Sequence, residues 1–157
     1  MRGEVLVDSN VLVYAYDRSE PVKQRTAASL LHRLFDARSG VLTTQVLSEF
    51  FVIVTRKITA PLDVKTAAER IHNYVLSWPV LEVTPLVVLE ATRGAVAHQL
   101  HYWDAQLWAA ARLNQIDLIL TEDLPSGQVL EGVRFMDPFG PGFSLEAPRF
   151  WDHPVQS

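Results

Sequence analysis

The chain is 157 residues long, 48% of them hydrophobic and 20% charged, with a formal net charge of -4. That length suits one domain able to bury roughly two thirds of its unfolded surface, and the acidic balance argues against a molecule whose whole surface is a field for polyanions. Cysteine is absent, which excludes disulfides, thiolate zinc sites and thiol nucleophiles.

A reducing cytoplasm is the expected compartment. The first apolar run begins within four residues of Met1 and leaves no room for a secretory leader. No run reaches the ~18 uninterrupted apolar residues that a membrane span requires, so a soluble protein is expected. Nucleic acid remains an allowed partner, because bound cations and a local rim of arginines can face phosphates on an acidic protein. Eleven arginines stand against three lysines, a bias that suits bidentate phosphate contacts.

In chain order, Glu4-Val5-Leu6-Val7-Asp8 reads as a strand buried on both faces, with Asp8 at its carboxyl end. A helix is expected from about Val22 to Arg38, with Gly40 as its stop signal, and Val41 to Thr44 reads as a second short strand. From Gln45 to Lys57 the sequence is apolar almost all the way round, the pattern of a buried helix, and Glu49 is the anomaly within it. Beyond Pro61 a helix runs to Trp78, Pro79 breaks it, and Val80 to Thr84 is a strand candidate. Helices from Leu86 to about Leu100 and from Ala105 to Asn114 follow, the second alanine-rich and therefore central. Asp117 to Thr121 and Val133 to Met136 complete the strands. This alternation predicts an α/β fold, a central parallel sheet of about five strands between helical layers.

Four of the nine prolines fall from Pro138 onward. The expected organisation is one domain over residues 1–139 and a Pro/Gly-rich extension over 140–157, which Phe143, Phe150 and Trp151 could pin to the domain or to a second subunit.

The candidate chemistry lies in four carboxylates. In open parallel sheets ligands bind beyond the carboxyl ends of the strands; Asp8 and Asp123 fall there, while Glu49 and Asp104 sit on helices able to lean over the same edge. Each has a plain structural alternative: Asp8 and Asp104 as helix caps, Glu49 as a solvated glutamate, Asp123 as part of an acidic turn. One site explains all four together. Converging like charges repel, and a hard cation such as magnesium, which prefers oxygen ligands, relieves that repulsion. Asn10 and Thr121 stand close enough in sequence to orient a carboxylate or a metal-bound water.

Other residues carry less. His98 and His101 lack a partner at metal spacing, Trp78, Trp103 and Trp108 read as core or interface aromatics rather than base-stacking platforms, and Arg25, Arg56, Lys57, Arg93 and Arg112 are possible phosphate contacts of which none is singled out.

The segments Val7-Asp8-Ser9-Asn10-Val11-Leu12-Val13-Tyr14-Ala15, Gln45-Val46-Leu47-Ser48-Glu49-Phe50, Trp103-Asp104-Ala105 and Thr121-Glu122-Asp123-Leu124 together resemble the PIN-domain endoribonucleases, and within them the VapC-type toxins of bacterial toxin-antitoxin pairs. The resemblance runs from about Val5 to Phe139. It implies a three-layer PIN-like fold, dependence on magnesium or manganese, an RNA substrate cut to leave a 5′-phosphate and a 3′-hydroxyl, a homodimer, and a small cognate antitoxin that plugs the site. The family's acidic positions carry over onto Asp8, Glu49, Asp104 and Asp123. Ser9 stands where threonine is common, and the tail after Phe139 is longer than usual.

On this reading Asp8 and Asp104 hold the principal magnesium ion, and Glu49 and Asp123 complete the acidic site or help admit a second. Three rivals are carried: a phosphoaspartyl protein built on Asp8, disfavoured because the lysines are only Lys23, Lys57 and Lys65; a non-catalytic interaction module with the same fold; and an RNA-processing nuclease without an antitoxin.

Overall fold

The computed structural model describes residues 3–144. Its centre is a sheet of six short strands: β1 (Val5–Val7), β2 (Gly40–Thr43), β3 (Val80–Leu81), β4 (Leu118–Leu120), β5 (Val129–Leu130) and β6 (Val133–Met136), in the spatial order β3-β2-β1-β4-β6-β5. β1 pairs in parallel with both β2 and β4, β2 with β3, and β4 with β6. Those five strands are the expected parallel set. The sixth, β5, is a two-residue strand antiparallel to β6, too short to leave a hydrophobic pattern in the sequence.

Every residue of β1, β2 and β4 is buried, because helices cover both faces and the strands can be apolar throughout. The helices are α1 (Ser9–Tyr14), α2 (Pro21–Asp36), α3 (Thr44–Arg56), α4 (Val64–Ser77), α5 (Pro85–His98) and α6 (Tyr102–Leu113). From Ala105 to Ala111 α6 is wholly buried, as its alanine-rich sequence anticipates. By contrast α3 is not buried all round. Val46, Leu47, Phe50 and Val54 face the core while Thr44, Ser48, Val52 and Arg56 are exposed, so its apolar sequence overstates its burial.

Two glycines set close approaches. A β-carbon on Gly40 would lie 2.1 Å from the Trp78 ring, and one on Gly94 would lie 2.3 Å from the Trp108 ring. Gly40 therefore belongs to β2, where Trp78 packs over it, and the left-handed turn that ends α2 falls instead on Arg38 at φ 53°. Gly94 lets α5 settle on α6, and Trp108, fully buried between them, donates its indole N–H to the Leu130 carbonyl at 3.1 Å.

An ion-pair group fastens the outer side of this helix pair. Arg93 binds Glu90 and Glu131, Arg112 reaches the same two carboxylates, and His98 contacts Glu131 at 2.7 Å. Among the cationic candidates, Arg93 and Arg112 are thus engaged within the fold.

Of the three tryptophans expected in the core or at an interface, Trp78 and Trp108 are in the core, and Trp103 is 55% exposed. In the extension, Phe143 packs against the core, while Phe150 and Trp151 lie outside the described residues. No helix among the described residues is long and apolar enough to cross a membrane.

Candidate active site

The sheet order places β1 at a switch point: the chain leaves it for β2 on one side and returns to β4 on the other. In such sheets the crevice beyond the two carboxyl ends is the natural ligand site. Asp8 and Thr121 are the residues that follow β1 and β4, and a backbone bond from Asp8 N–H to the Leu120 carbonyl at 3.0 Å ties the two strand ends together.

Asp8 is the buried centre, 6% exposed. Its Oδ1 accepts the Ser9 backbone N–H at 2.7 Å, which makes it the N-cap of α1. Its Oδ2 accepts the Thr121 hydroxyl at 2.7 Å and the Asn10 amide at 3.4 Å. The cap and the site are therefore the same residue, and the two readings of Asp8 do not compete.

Thr121 is the hub. Besides donating to Asp8, its oxygen accepts the Asn10 amide at 3.2 Å and the Asp123 backbone N–H at 3.1 Å. That fixes the turn carrying Asp123 to the end of β1. Both residues expected to orient the carboxylates, Asn10 and Thr121, do contact one. The Asn10 side-chain oxygen, Oδ1, is buried and has no protein partner, an acceptor left over inside an acidic site.

Glu49 enters from α3, half-buried, and its Oε1 accepts the Gln45 amide at 2.8 Å. The Ser9 hydroxyl lies 3.4 Å from both Asp8 Oδ1 and Glu49 Oε2, spanning the two carboxylates. Asp104 lies in the first turn of α6, which begins at Tyr102; His101 occupies the N-cap position, so Asp104 is not the cap.

The electrostatics show that the four acids share one region. Burial, opposed by the Thr121 and Ser9 bonds and reinforced by the charges of Glu49 and Asp123, pushes the Asp8 carboxyl up to about 7. Glu49 is raised by burial and by the charges of Asp104 and Asp123, against its bonds from Gln45 and Ser9. Asp104 is raised by burial and by Asp123, with His101 acting the other way. Burial is the largest cause in all three, and the mutual repulsion marks them as neighbours.

Glu122, adjacent to Asp123, is excluded from this group by its own partners. It pairs with Lys23 at 3.0 Å and accepts the Tyr14 hydroxyl, and the Lys23 ammonium lies 4.6 Å from the centre of the Tyr14 ring. Only one acid of the Glu122-Asp123 pair is left to the crevice.

Among the described residues, no three or more Asp, Glu or His side chains stand in an arrangement that could hold a metal ion by themselves. The carboxylates are neighbours and not a preformed cage. In donor chemistry they still suit a hard divalent cation: every candidate ligand is oxygen, the charges repel, and the buried Asn10 Oδ1 is unmatched. Magnesium takes one or two carboxylates directly and keeps several waters, so it does not require a closed protein cage.

Sequence reasoning overlooked the bridging role of Ser9 and the amides that orient Glu49. Gln45 lies one turn before Glu49, a spacing at which side chains meet, and that signal was available. Tyr102 and Gln106 stand at the same one-turn spacing within α6, their side chains 2.9 Å apart, but the bond that joins α6 to α3, from Gln106 Nε2 to Gln45 Oε1 at 2.8 Å, had no local signature.

Fold and site together define a parallel-sheet α/β domain with acidic side chains at its topological switch point. The PIN domain model matches residues 5–124, and the chain belongs to the PIN domain family. No curated sequence relative matches it. Among solved structures it is similar to a toxin-antitoxin complex from Klebsiella pneumoniae, at 15% identity and a TM-score of 0.63, covering 87% of this chain and 98% of that one. It is also similar to VapC20 of Mycobacterium tuberculosis, described as a sarcin-ricin loop cleaving toxin, at 19% identity and TM-score 0.57 over 74% of this chain and 87% of that one. A third is the DNA-bound VapBC of Salmonella typhimurium, at 13% identity and TM-score 0.59, covering 87% and 98%. At identities this low the likeness is one of fold alone.

Proposed function

We propose that the chain is a divalent-metal-dependent endoribonuclease that acts as the toxin of a toxin-antitoxin pair. The observation that carries this reading is the gathering of Asp8, Glu49, Asp104 and Asp123 at the switch point, with Asp8 buried and its carboxyl driven up to about 7. A fold gains nothing by desolvating and crowding acids unless a cation offsets them. Membership of the PIN family and the toxin-antitoxin complexes among the similar structures support the same choice.

Asp8 and Asp104 are the residues assigned to hold the principal magnesium, or manganese, with Glu49 and Asp123 completing the acidic site. The chemistry that a divalent cation would supply there is a hydroxide nucleophile near neutral pH and an offset to charge developing on the phosphate. The protein's own contribution is placement. Thr121, Asn10 and the Ser9 N–H hold both Asp8 oxygens in fixed directions, Gln45 turns Glu49 inward, and the Thr121–Asp123 bond keeps the last acid on the same edge. Pre-set acceptors of this kind need no rearrangement as the phosphodiester is cleaved.

By this reading the partners are RNA and a small antitoxin protein, the chain works as a homodimer, and it acts in the cytoplasm. The test is cleavage of cellular RNA by the purified protein: activity with magnesium, loss in chelator, recovery on re-addition, and loss in Asp8→Ala and Asp104→Ala proteins that remain folded. Unchanged cleavage by both variants would refute the assignment.

A further inference from the structure

Beside Glu49 the surface opens into a pocket of about 400 Å³ lined by residues of α3 and α6 and by Val83, a size within the ~300–1,000 Å³ of small-molecule sites. One wall is Trp103, 55% exposed and next in sequence to Asp104. An exposed tryptophan usually marks contact with something, since its ring is among the largest apolar surfaces a side chain can offer.

This ring is held in place. Tyr102 meets it edge-on with centroids 5.1 Å apart, and the Trp103 carbonyl accepts the Gln45 amide at 3.0 Å. The same Gln45 amide nitrogen binds Glu49, so the pocket wall and an acid of the metal site are positioned by one group. We infer that this pocket receives an unpaired nucleobase of the RNA, one next to the phosphate being cut, and that Trp103 is the platform on which the base stacks. The inference rests on the nuclease reading above and extends it to how substrate is gripped.

The polar lining indicates what kind of recognition this is. Gln45 and Gln106 bond to each other, Gln106 accepts Tyr102, and the Ser48 hydroxyl donates to the Thr44 carbonyl at 2.9 Å. These groups are already engaged within the protein, so the pocket offers a face for stacking and little hydrogen-bonding readout of the base edge. Stacking accepts every base. The subsite therefore selects for an unpaired nucleotide, a loop or single strand, more than for its identity.

The test uses the full-length Asp8→Asn protein as parent, so that RNA stays intact, and a labelled single-stranded oligoribonucleotide read by fluorescence anisotropy. Adding Trp103→Ala should weaken binding about tenfold and Trp103→Phe should restore most of it. A set of oligomers, each with one abasic ribose, should contain one position at which the parent loses about tenfold and the alanine variant loses nothing further. That coupling is not produced by a merely structural residue. Equal affinities for parent and Trp103→Ala, or matching abasic profiles, overturn the inference. An unaltered profile together with loss of antitoxin binding by Trp103→Ala overturns it too, and makes the pocket a protein seat.

Cleavage by the protein with Asp8 intact separates the two proposals. RNA cut without base coupling refutes the pocket alone; coupling without any cut refutes the nuclease and leaves the pocket standing.

Discussion

Replacing Asp8 with asparagine removes one charge from the site while keeping its shape, and it should push stability and activity in opposite directions. In the wild-type protein without divalent ions, burial drives the Asp8 carboxyl from 3.8 up to about 7. At about 1.36 kcal/mol per tenfold change in proton affinity, that corresponds to at most ~4 kcal/mol of unfavourable charge burial at pH 8. Asparagine keeps the Ser9 N–H bond but sets an NH2 where Oδ2 accepted from the Thr121 hydroxyl and the Asn10 amide, a loss of about 1–2 kcal/mol. A net gain of about 1–3 kcal/mol is therefore expected for metal-free Asp8→Asn.

The pH dependence has a definite sign. Between pH 3.8 and about 7 the folded chain retains a proton that the unfolded chain has released, so this residue's contribution to stability falls as pH rises through that window and is fully lost above it. The variant should lack that slope. Urea denaturation from pH 4 to 8 in chelator measures both effects, and magnesium should stabilise wild type at pH 8 while leaving the variant nearly unmoved. A variant that is less stable than wild type at pH 8 without metal would refute the argument that the acidic crowding is strained.

Thr121→Val should lower stability by about 1–2 kcal/mol, read by thermal melting, because the Asp8, Asn10 and Asp123 contacts lose their shared partner; RNA cleavage should fall with it. Gly94→Ala should cost about 1–3 kcal/mol in a urea titration, since the added carbon meets the Trp108 ring and α5 must lift from α6. Glu131→Gln serves as a contrast: its partners are the partly exposed Arg93, Arg112 and His98, none of which acts on Asp8, Glu49 or Asp104, so cleavage should be unchanged and the melting temperature should move only slightly.

Much of the site was readable in sequence because its parts are local. Asp8 and Asp123 follow apolar strands, and strand ends are where a parallel sheet exposes its ligands. Glu49 stood out because the residues around it are apolar. What escaped depends on packing across the chain. Helix α1 is six residues long and begins at the cap itself, so a turn and a helix look alike there. Trp103 shares its apolar character with Trp108, and only the register of α6 puts one in the core and the other in solvent. Gly40 reads as a helix stop, yet its place in β2 is set by the indole of Trp78, distant in sequence. Likewise the exposed stripe of α3, Thr44, Ser48 and Arg56, is interrupted by Val52, which disguises that face among apolar neighbours.

Whether these carboxylates act together on a divalent ion is read by calorimetric titration of magnesium into the purified protein. Wild type should bind, with affinity lost at least tenfold in both Asp8→Asn and Asp104→Asn. Binding of equal strength in all three proteins would contradict that joint action.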